Sequence, residues 1–419
     1  MMKKFLLTIL ILFLSVLTLF AIGEYTGRFS MPFPEVSSLK QTAYEAAEAV
    51  QDLFAFLSEK TGFGTFGTRK TKPYIQIPEE YHVIRRTPIE TDGAVSYDYS
   101  SLYEELARAL DERIEYICLE GVELSWPAVH SLDYSSFWVD DFTCYRQYGY
   151  PAGEEEPAFL YFYDFRYLDL SREEIQCMKA EMDAAAAQIL SGIPDGIDDW
   201  TTAKYLHDAL CRTVTYDHSL SQPHIYDGYG ALVNHTAVCE GYAIAFHILA
   251  EKLGYYSSVS TSDTHAWTHM NVPSYDEYID ITWDDEDLAD RGGDPYISYD
   301  YFFLKREEVN GLDSHELTGG SPYAANTEEA VPYNYHAHEG YLLYSCDVNA
   351  VISAYQTQYL QGSNYLTVRF AGDEDYETAK TWEQDGTLRS ILEMIGYYEP
   401  FYYWYNDNVN TVNVGLYPP

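Results

Sequence analysis

The chain has 419 residues, with 66 acidic against 25 basic side chains and a formal charge of −41. That length holds two or three domains with full cores. The charge argues against nucleic-acid binding, which needs a positive stripe for phosphate contacts, and favours cationic peptides or basic surfaces as substrates.

In chain order, Lys3 and Lys4 precede the uncharged apolar run Phe5–Ile22, 18 residues long. A secretory signal usually has an apolar stretch of about 7–15 residues, and Ala21-Ile22-Gly23 is a poor cleavage site. The segment 1–23 therefore reads as a signal peptide or an uncleaved anchor, with the anchor favoured. Either way the lysines keep the N-terminus inside and place the rest outside the cytoplasm, secreted or membrane-anchored. Membrane contact is expected through this segment alone.

Residues 24–94 read as a helix followed by a linker. Leu39, Ala43, Ala46, Val50, Leu53 and Leu57 form one apolar face within Ser37–Thr61. The stretch from Gly62 to Pro73 is glycine-rich and locally basic, which suits a spacer.

An accessory lobe is expected over 95–197. Leu102, Leu106, Ala109 and Ile114 mark a helix from Ser100 to about Cys118, and Phe159–Tyr163 reads as sheet. Ser171-Arg172-Glu173-Glu174 is a capping-box pattern opening a helix to about Leu190. A further helix is expected over Trp200–Cys211.

The chemistry concentrates in 198–330. Ala243, Phe246, Leu249, Ala250 and Leu253 recur at helical spacing and Gly254 closes the run, so Cys239 sits at a helix N-terminus. There the free N–H groups and the helix dipole favour a thiolate. Tyr229–His235 reads as a loop feeding that helix. The backbone N–H of Cys239 is a natural oxyanion donor, and the sequence names no second one.

His265–Val272 and Tyr278–Trp283 read as strands with Pro273–Glu277 between them. If the unpaired loop residues are even in number, say Pro273 and Ser274, Asp280 lies opposite Trp267. It is then a diagonal neighbour of His265 within side-chain reach. An odd number would put the two on opposite faces. Cys239, His265 and Asp280 then supply a nucleophile, its base and the group that orients the base.

The stretches VCEGYAIAF, HAW and YIDITWDD together resemble the transglutaminase-like superfamily, whose members share a papain-like core. The resemblance runs from about residue 198 to 305 and more loosely over 95–197 and 340–419. Lys204–Leu210 and Thr215-Tyr216-Asp217 are similar to the segments that precede the nucleophile in bacterial members. It implies an α+β fold, a nucleophile helix packed on an antiparallel sheet, with an α/β accessory lobe before it. It also implies Cys239 as nucleophile, His265 as base and Asp280 as its partner. Thr268 stands where many relatives have Asn, a position outside the triad.

A small α/β domain is expected over 331–419. Asp347–Leu360 reads as helix, Tyr365–Phe370 as strand, Tyr376–Ile395 as mostly helical and Phe401–Leu416 as a strand or hairpin. The acidic loop Asp284–Asp294 lacks an EF-hand spacing. His265 and His269, four apart on a strand, build no zinc face, and no C-x-x-C or H-E-x-x-H accompanies them. No metal or cofactor is expected. Five other cysteines, Cys118, Cys144, Cys177, Cys211 and Cys346, have no framework spacing; at most two disulfides form among them while Cys239 stays free.

The expected function is thiol-dependent acyl transfer on amides, foremost peptide hydrolysis, with cell-wall peptide among the candidate substrates. The alternatives are a transamidating crosslinker with the same chemistry and a silent surface scaffold that keeps the fold.

Overall fold

The computed structural model describes residues 74–91, 94–124, 129, 132, 136–151, 157–272, 275–286, 296–316 and 334–417. All of them belong to the second of two compact units, Pro73–Pro419. The apolar run Phe5–Ile22, the helix Ser37–Thr61, the glycine-rich spacer and Asp287, Asp290 and Asp294 lie outside the described residues. Among the described residues no helix is long and apolar enough to cross a membrane.

The fold mixes helices and sheets in an α+β arrangement. The first sheet holds β1 (Tyr74–Ile75), β2 (His82–Ile84), β3 (Tyr116–Glu120), β4 (Val139–Pro151) and β5 (Ala158–Tyr167), in the order β1-β4-β5-β3-β2. The helix before β3 spans Ser100–Asp111. It is shorter than the sequence pattern suggests, because Arg113 turns into the left-handed region at φ 59°. The apolar run Tyr116-Ile117-Cys118-Leu119 then pairs with β2 and β5 instead of extending the helix. Its residues 117 to 119 are fully buried, which strand pairing permits on both faces.

Helix α1 (Arg172–Leu190) opens with the expected capping box: Ser171 Oγ accepts from Glu174 N, and the Glu174 carboxylate accepts from Ser171 N. Helix α2 (Asp199–Thr213) follows, capped by Asp198. Tyr229–His235 is not simply a loop. Asp227 accepts from Tyr229 N and Gly230 N and so starts a short helix, α3 (Gly228–Leu232).

Helix α4 (Cys239–Lys252) runs through the core that it shares with α2 and the sheet beside it. Every residue from Gly241 to Ala250 is buried, so the helix is enclosed on all sides rather than on one face. Leu253, expected on a buried face, is 38% exposed because it lies beyond the enclosed stretch. Gly254, at φ 84°, closes the helix as its sequence position suggests. Phe246, Ile248 and Leu249 share one core with Trp200, Leu206, Met270, Ile279 and Phe302. Emptying a Phe246-sized volume there costs about 3–5 kcal/mol.

Four antiparallel strands cover one side of α4: β6 (Tyr256–Thr261), β7 (Ala266–Val272), β8 (Tyr275–Ile279) and β9 (Phe302–Leu304), in that order. Only residues 273 and 274 separate the paired Val272 and Tyr275, and the register runs on through Thr268 opposite Ile279. This is the register of the even-loop alternative, and it ends one residue short of Asp280. The second strand ends earlier than the sequence pattern suggests. Asp280 accepts a hydrogen bond from Trp283 N and caps a short helix, α5 (Ile281–Asp284), where strand had been expected through Trp283.

The C-terminal part is a second mixed layer. Strands β10 (Leu342–Leu343), β11 (Tyr365–Phe370), β12 (Phe401–Asn406) and β13 (Thr411–Leu416) are ordered β10-β11-β13-β12, the last two as a hairpin. The helix Val348–Leu360 is capped by Asp347, and three short helices fill the span from Asp373 to Met394. Asp300 joins this sheet to the central core, accepting from Asn406 Nδ2 at 2.8 Å and Thr411 Oγ1 at 2.8 Å.

Candidate functional site

The site is assembled where α4 begins. Val238 caps the helix with extended backbone and no side-chain hydrogen bond, so the sulfur of Cys239 faces a first turn whose N–H groups no cap side chain occupies. The segment before it is fixed by short bridges. Val238 N donates to Ile225 O at 2.9 Å, and Thr215-Tyr216 pairs in parallel with Thr236-Ala237. Asp217 accepts from Ser219, Ser221 and Gln222 backbone N–H groups and holds the turn that follows.

Gly241 lets the helix lie this close. A Cβ there would sit 2.6 Å from Ile225 O and 2.8 Å from the Ala237 Cβ. Backbone cannot yield cheaply at that distance, so the glycine two residues after Cys239 is a packing requirement of the loop–helix junction.

His265 stands immediately before β7. Its backbone N–H donates to Ser262 Oγ at 3.0 Å, and its carbonyl accepts from Ser262 N at 2.9 Å. Its Nε2 lies 2.6 Å from Asp280 Oδ2, and the Cys239 side chain is close enough to bear on the charge of the ring. The sequence-predicted residues Cys239, His265 and Asp280 are thus in one cluster.

Asp280 is almost wholly buried and held from all sides. Oδ1 accepts from Thr282 Oγ1 at 2.7 Å and Trp283 N at 3.2 Å. Oδ2 faces His265 and a residue that the sequence pattern did not single out, His315, at 2.9 Å. His315 follows Asp280 by 35 positions in a segment without a recognisable motif, so only the fold brings it here.

The charges follow from these contacts. Burial pushes the His265 imidazole down, but the Asp280 carboxylate and the Cys239 sulfur outweigh it and raise the ring to about 10. Burial alone would raise Asp280; His265 and His315 reverse that and hold its carboxyl well below the usual carboxylate range. The arrangement favours an imidazolium next to a carboxylate and a thiol.

Tyr216 is a second residue whose place was not assigned from sequence. Burial raises its phenol, the charges of Cys239 and Asp280 add to that, and the nearby Cys239 backbone opposes it. Its hydroxyl therefore lies at the Cys239 end of α4.

Behind Asp280 a second buried network fixes α5. His207 Nε2 lies 3.2 Å from Asp284 Oδ2, and His207 Nδ1 lies 3.2 Å from Asp208 Oδ1. Asp284 Oδ1 accepts from Tyr301 N at 3.0 Å, and burial raises its carboxyl to about 6. Burial opposes a proton on His207, yet Cys211, Asp208 and Asp284 together raise it, so His207 bears the positive charge of the group. Asp285 accepts from Tyr242 Oη at 2.6 Å. The first two carboxylates of the acidic loop are thus spent on internal contacts.

Among the described residues one set of side chains has metal-ligand spacing: the ligand atoms of His265, Asp280 and His315 lie within 4.8 Å of one another. Around a tetrahedral zinc at about 2.0–2.1 Å, ligand atoms sit roughly 3.3 Å apart. The separations of 2.6 and 2.9 Å to Asp280 are hydrogen-bond distances, tighter than that cage. All six cysteines are free thiols; Cys118 and Cys211 are buried.

A cavity of about 510 Å3 lies next to the start of α4 and is not lined by Cys239, His265 or Asp280. Glu240, which follows Cys239 in the chain, lines it together with Asp140, Asp227, Phe137 and Tyr226.

Comparison with known proteins adds little. No family model matches the chain, and no curated protein matches it. Among solved structures, one described as the crystal structure of a TGase is 10% identical, with a TM-score of 0.24, over 40% of this chain and 51% of the other. A crystal structure of menin, described as revealing its binding site for the Mixed Lineage Leukemia protein, is 22% identical, with a TM-score of 0.22, over 30% of each chain. The chain thus spans about half of the first of these and under a third of the second.

Proposed function

We propose that this protein is a transglutaminase-like cysteine enzyme that cleaves amide bonds, foremost peptide bonds, outside the cytoplasm. The observation that carries this reading is the 2.6 Å contact of His265 Nε2 with Asp280 Oδ2, with the Cys239 side chain close enough to raise the same ring.

In this mechanism Cys239 attacks the amide carbonyl as a thiolate, stabilised by the N-terminus of α4 and by the His265 imidazolium. The carbonyl oxygen gains negative charge and takes hydrogen bonds from the Cys239 backbone N–H and the Tyr216 hydroxyl. His265 donates its proton to the leaving amine as the tetrahedral carbon collapses to a thioester. Asp280 keeps the imidazole oriented and stabilises its charged form. His265 then takes a proton from water, which attacks the thioester and releases the acid and the thiol.

The acidic and aromatic walls beside Glu240 suit a cationic peptide, in keeping with the charge of the whole chain. The extracytoplasmic location rests on Lys3, Lys4 and the apolar run Phe5–Ile22. The test is a digest of a peptide library with and without an added primary amine, alongside Cys239→Ala. New peptide termini that vanish in the alanine variant support hydrolysis. Amine incorporation instead of cleavage assigns the same thioester chemistry to transamidation. Activity unchanged in Cys239→Ala would refute the reading.

A further inference from the structure

Resting on the reading above, we propose that His315 is a fourth, positioning member of the site, which holds the Asp280 carboxylate in line with His265 by donating to the same oxygen. The contacts are specific. His315 Nε2 lies 2.9 Å from Asp280 Oδ2, and Nδ1 lies 2.9 Å from the Asp313 carbonyl oxygen. A carbonyl and an ionised carboxylate only accept, so the contact with Asp280 is one in which the ring donates.

The surroundings leave it little other freedom. His315 is 1% exposed, with its ring centroid 4.6 Å from that of Trp267, 4.5 Å from Trp283 and 4.8 Å from His265. Two tryptophans thus flank a ring whose donor edge is directed at the carboxylate. Ser314, immediately before it, adopts the left-handed region at φ 64°, where a serine is uncommon. The chain accepts that backbone in order to deliver His315 to this place.

The consequence is positional. Thr282 Oγ1 and Trp283 N fix Oδ1, and His315 fixes Oδ2. The carboxylate therefore cannot rotate about its last bond without breaking a hydrogen bond on each oxygen. His265 meets an acceptor that is already oriented, which lessens the ordering needed when the imidazolium forms. His315 touches neither substrate nor sulfur in this account and acts through Asp280.

The experiment compares His315→Gln with His315→Met in the full chain. The two replacements have similar length and volume, and only glutamine keeps a donor. The readouts are the rate at which iodoacetamide alkylates Cys239 at pH 7, mapped by peptide mass spectrometry, and the melting temperature. The expected result is that His315→Gln labels within about threefold of the native rate. His315→Met labels about 10-fold or more slowly, the scale of one charge-assisted hydrogen bond, while both melt together. Where His315→Met does not fold, His315→Leu takes its place.

Equal labelling rates for the glutamine and methionine variants would overturn the proposal. So would rates that fall only in step with melting temperature, since that pattern belongs to a packing residue. His265→Ala is run alongside. If it labels at the native rate, the thiol–imidazole reading itself fails. If it labels slowly while His315→Met labels normally, only the role of His315 is lost.

Discussion

Replacing Asp280 by asparagine keeps the shape of the site and removes its negative charge. In the native protein His265 is raised from its ordinary 6.5 to about 10. At about 1.36 kcal/mol per pH unit, that gap of about 3.5 corresponds to stability on the order of 5 kcal/mol. The sign follows from proton binding. The folded protein holds the His265 proton more tightly than the unfolded chain. This stability is therefore complete below pH 6.5 and is lost as pH rises through about 10. In Asp280→Asn the main force that raises the ring is gone, burial prevails, and His265 is neutral at pH 7. Urea unfolding at pH 6, 8 and 10 reads the difference. The native protein should lose several kcal/mol more than the variant across that range, the groups common to both cancelling in the comparison. The same variant should lower turnover on order of 10³–10⁴-fold, as expected where a buried carboxylate orients a catalytic imidazole. Parallel stability curves for native and variant protein would refute the charge assignment.

Three further outcomes follow from particular contacts. Gly241→Ala should destabilise the fold by about 1–3 kcal/mol and slow Cys239 alkylation, because its methyl meets Ile225 O at 2.6 Å; calorimetry and labelling read both. Ser171→Ala removes the cap of α1, remote from the chemistry, and should cost about 1 kcal/mol in urea unfolding with turnover unchanged. Dialysis against EDTA should leave turnover and Cys239 alkylation unaltered, since His265, Asp280 and His315 contact one another directly at 2.6 and 2.9 Å; a loss restored by zinc would contradict that.

Much of the site was legible because it depends on local rules. The Cys239 helix is marked by apolar spacing and Gly254, and the register that sets Thr268 opposite Ile279 follows from the even number of residues between Val272 and Tyr275. Local rules also explain the misreadings. Tyr278-Ile279-Asp280-Ile281-Thr282-Trp283 has the composition of a strand, yet the Asp280 side chain captures Trp283 N and bends the chain into helix. Cys118 looked like the end of a helix because a short apolar run has no periodicity of its own; pairing with two neighbouring strands decided its state. His315 was invisible for a different reason. Its meaning comes from a tertiary contact across 35 residues, and nothing nearby in sequence signals a donor for Asp280. Tyr216 was noted only as part of a resemblance, and its approach to the Cys239 backbone needs the parallel bridge to Ala237.

The most direct measurement is competitive alkylation within the chain. Cys144 and Cys177 are exposed thiols and serve as internal references for Cys239, which is only partly accessible. With limiting iodoacetamide at pH 6.5, Cys239 should be modified first despite its lower exposure, and His265→Ala should abolish this advantage. Cys239 reacting more slowly than Cys144 and Cys177, with no change in His265→Ala, would contradict it.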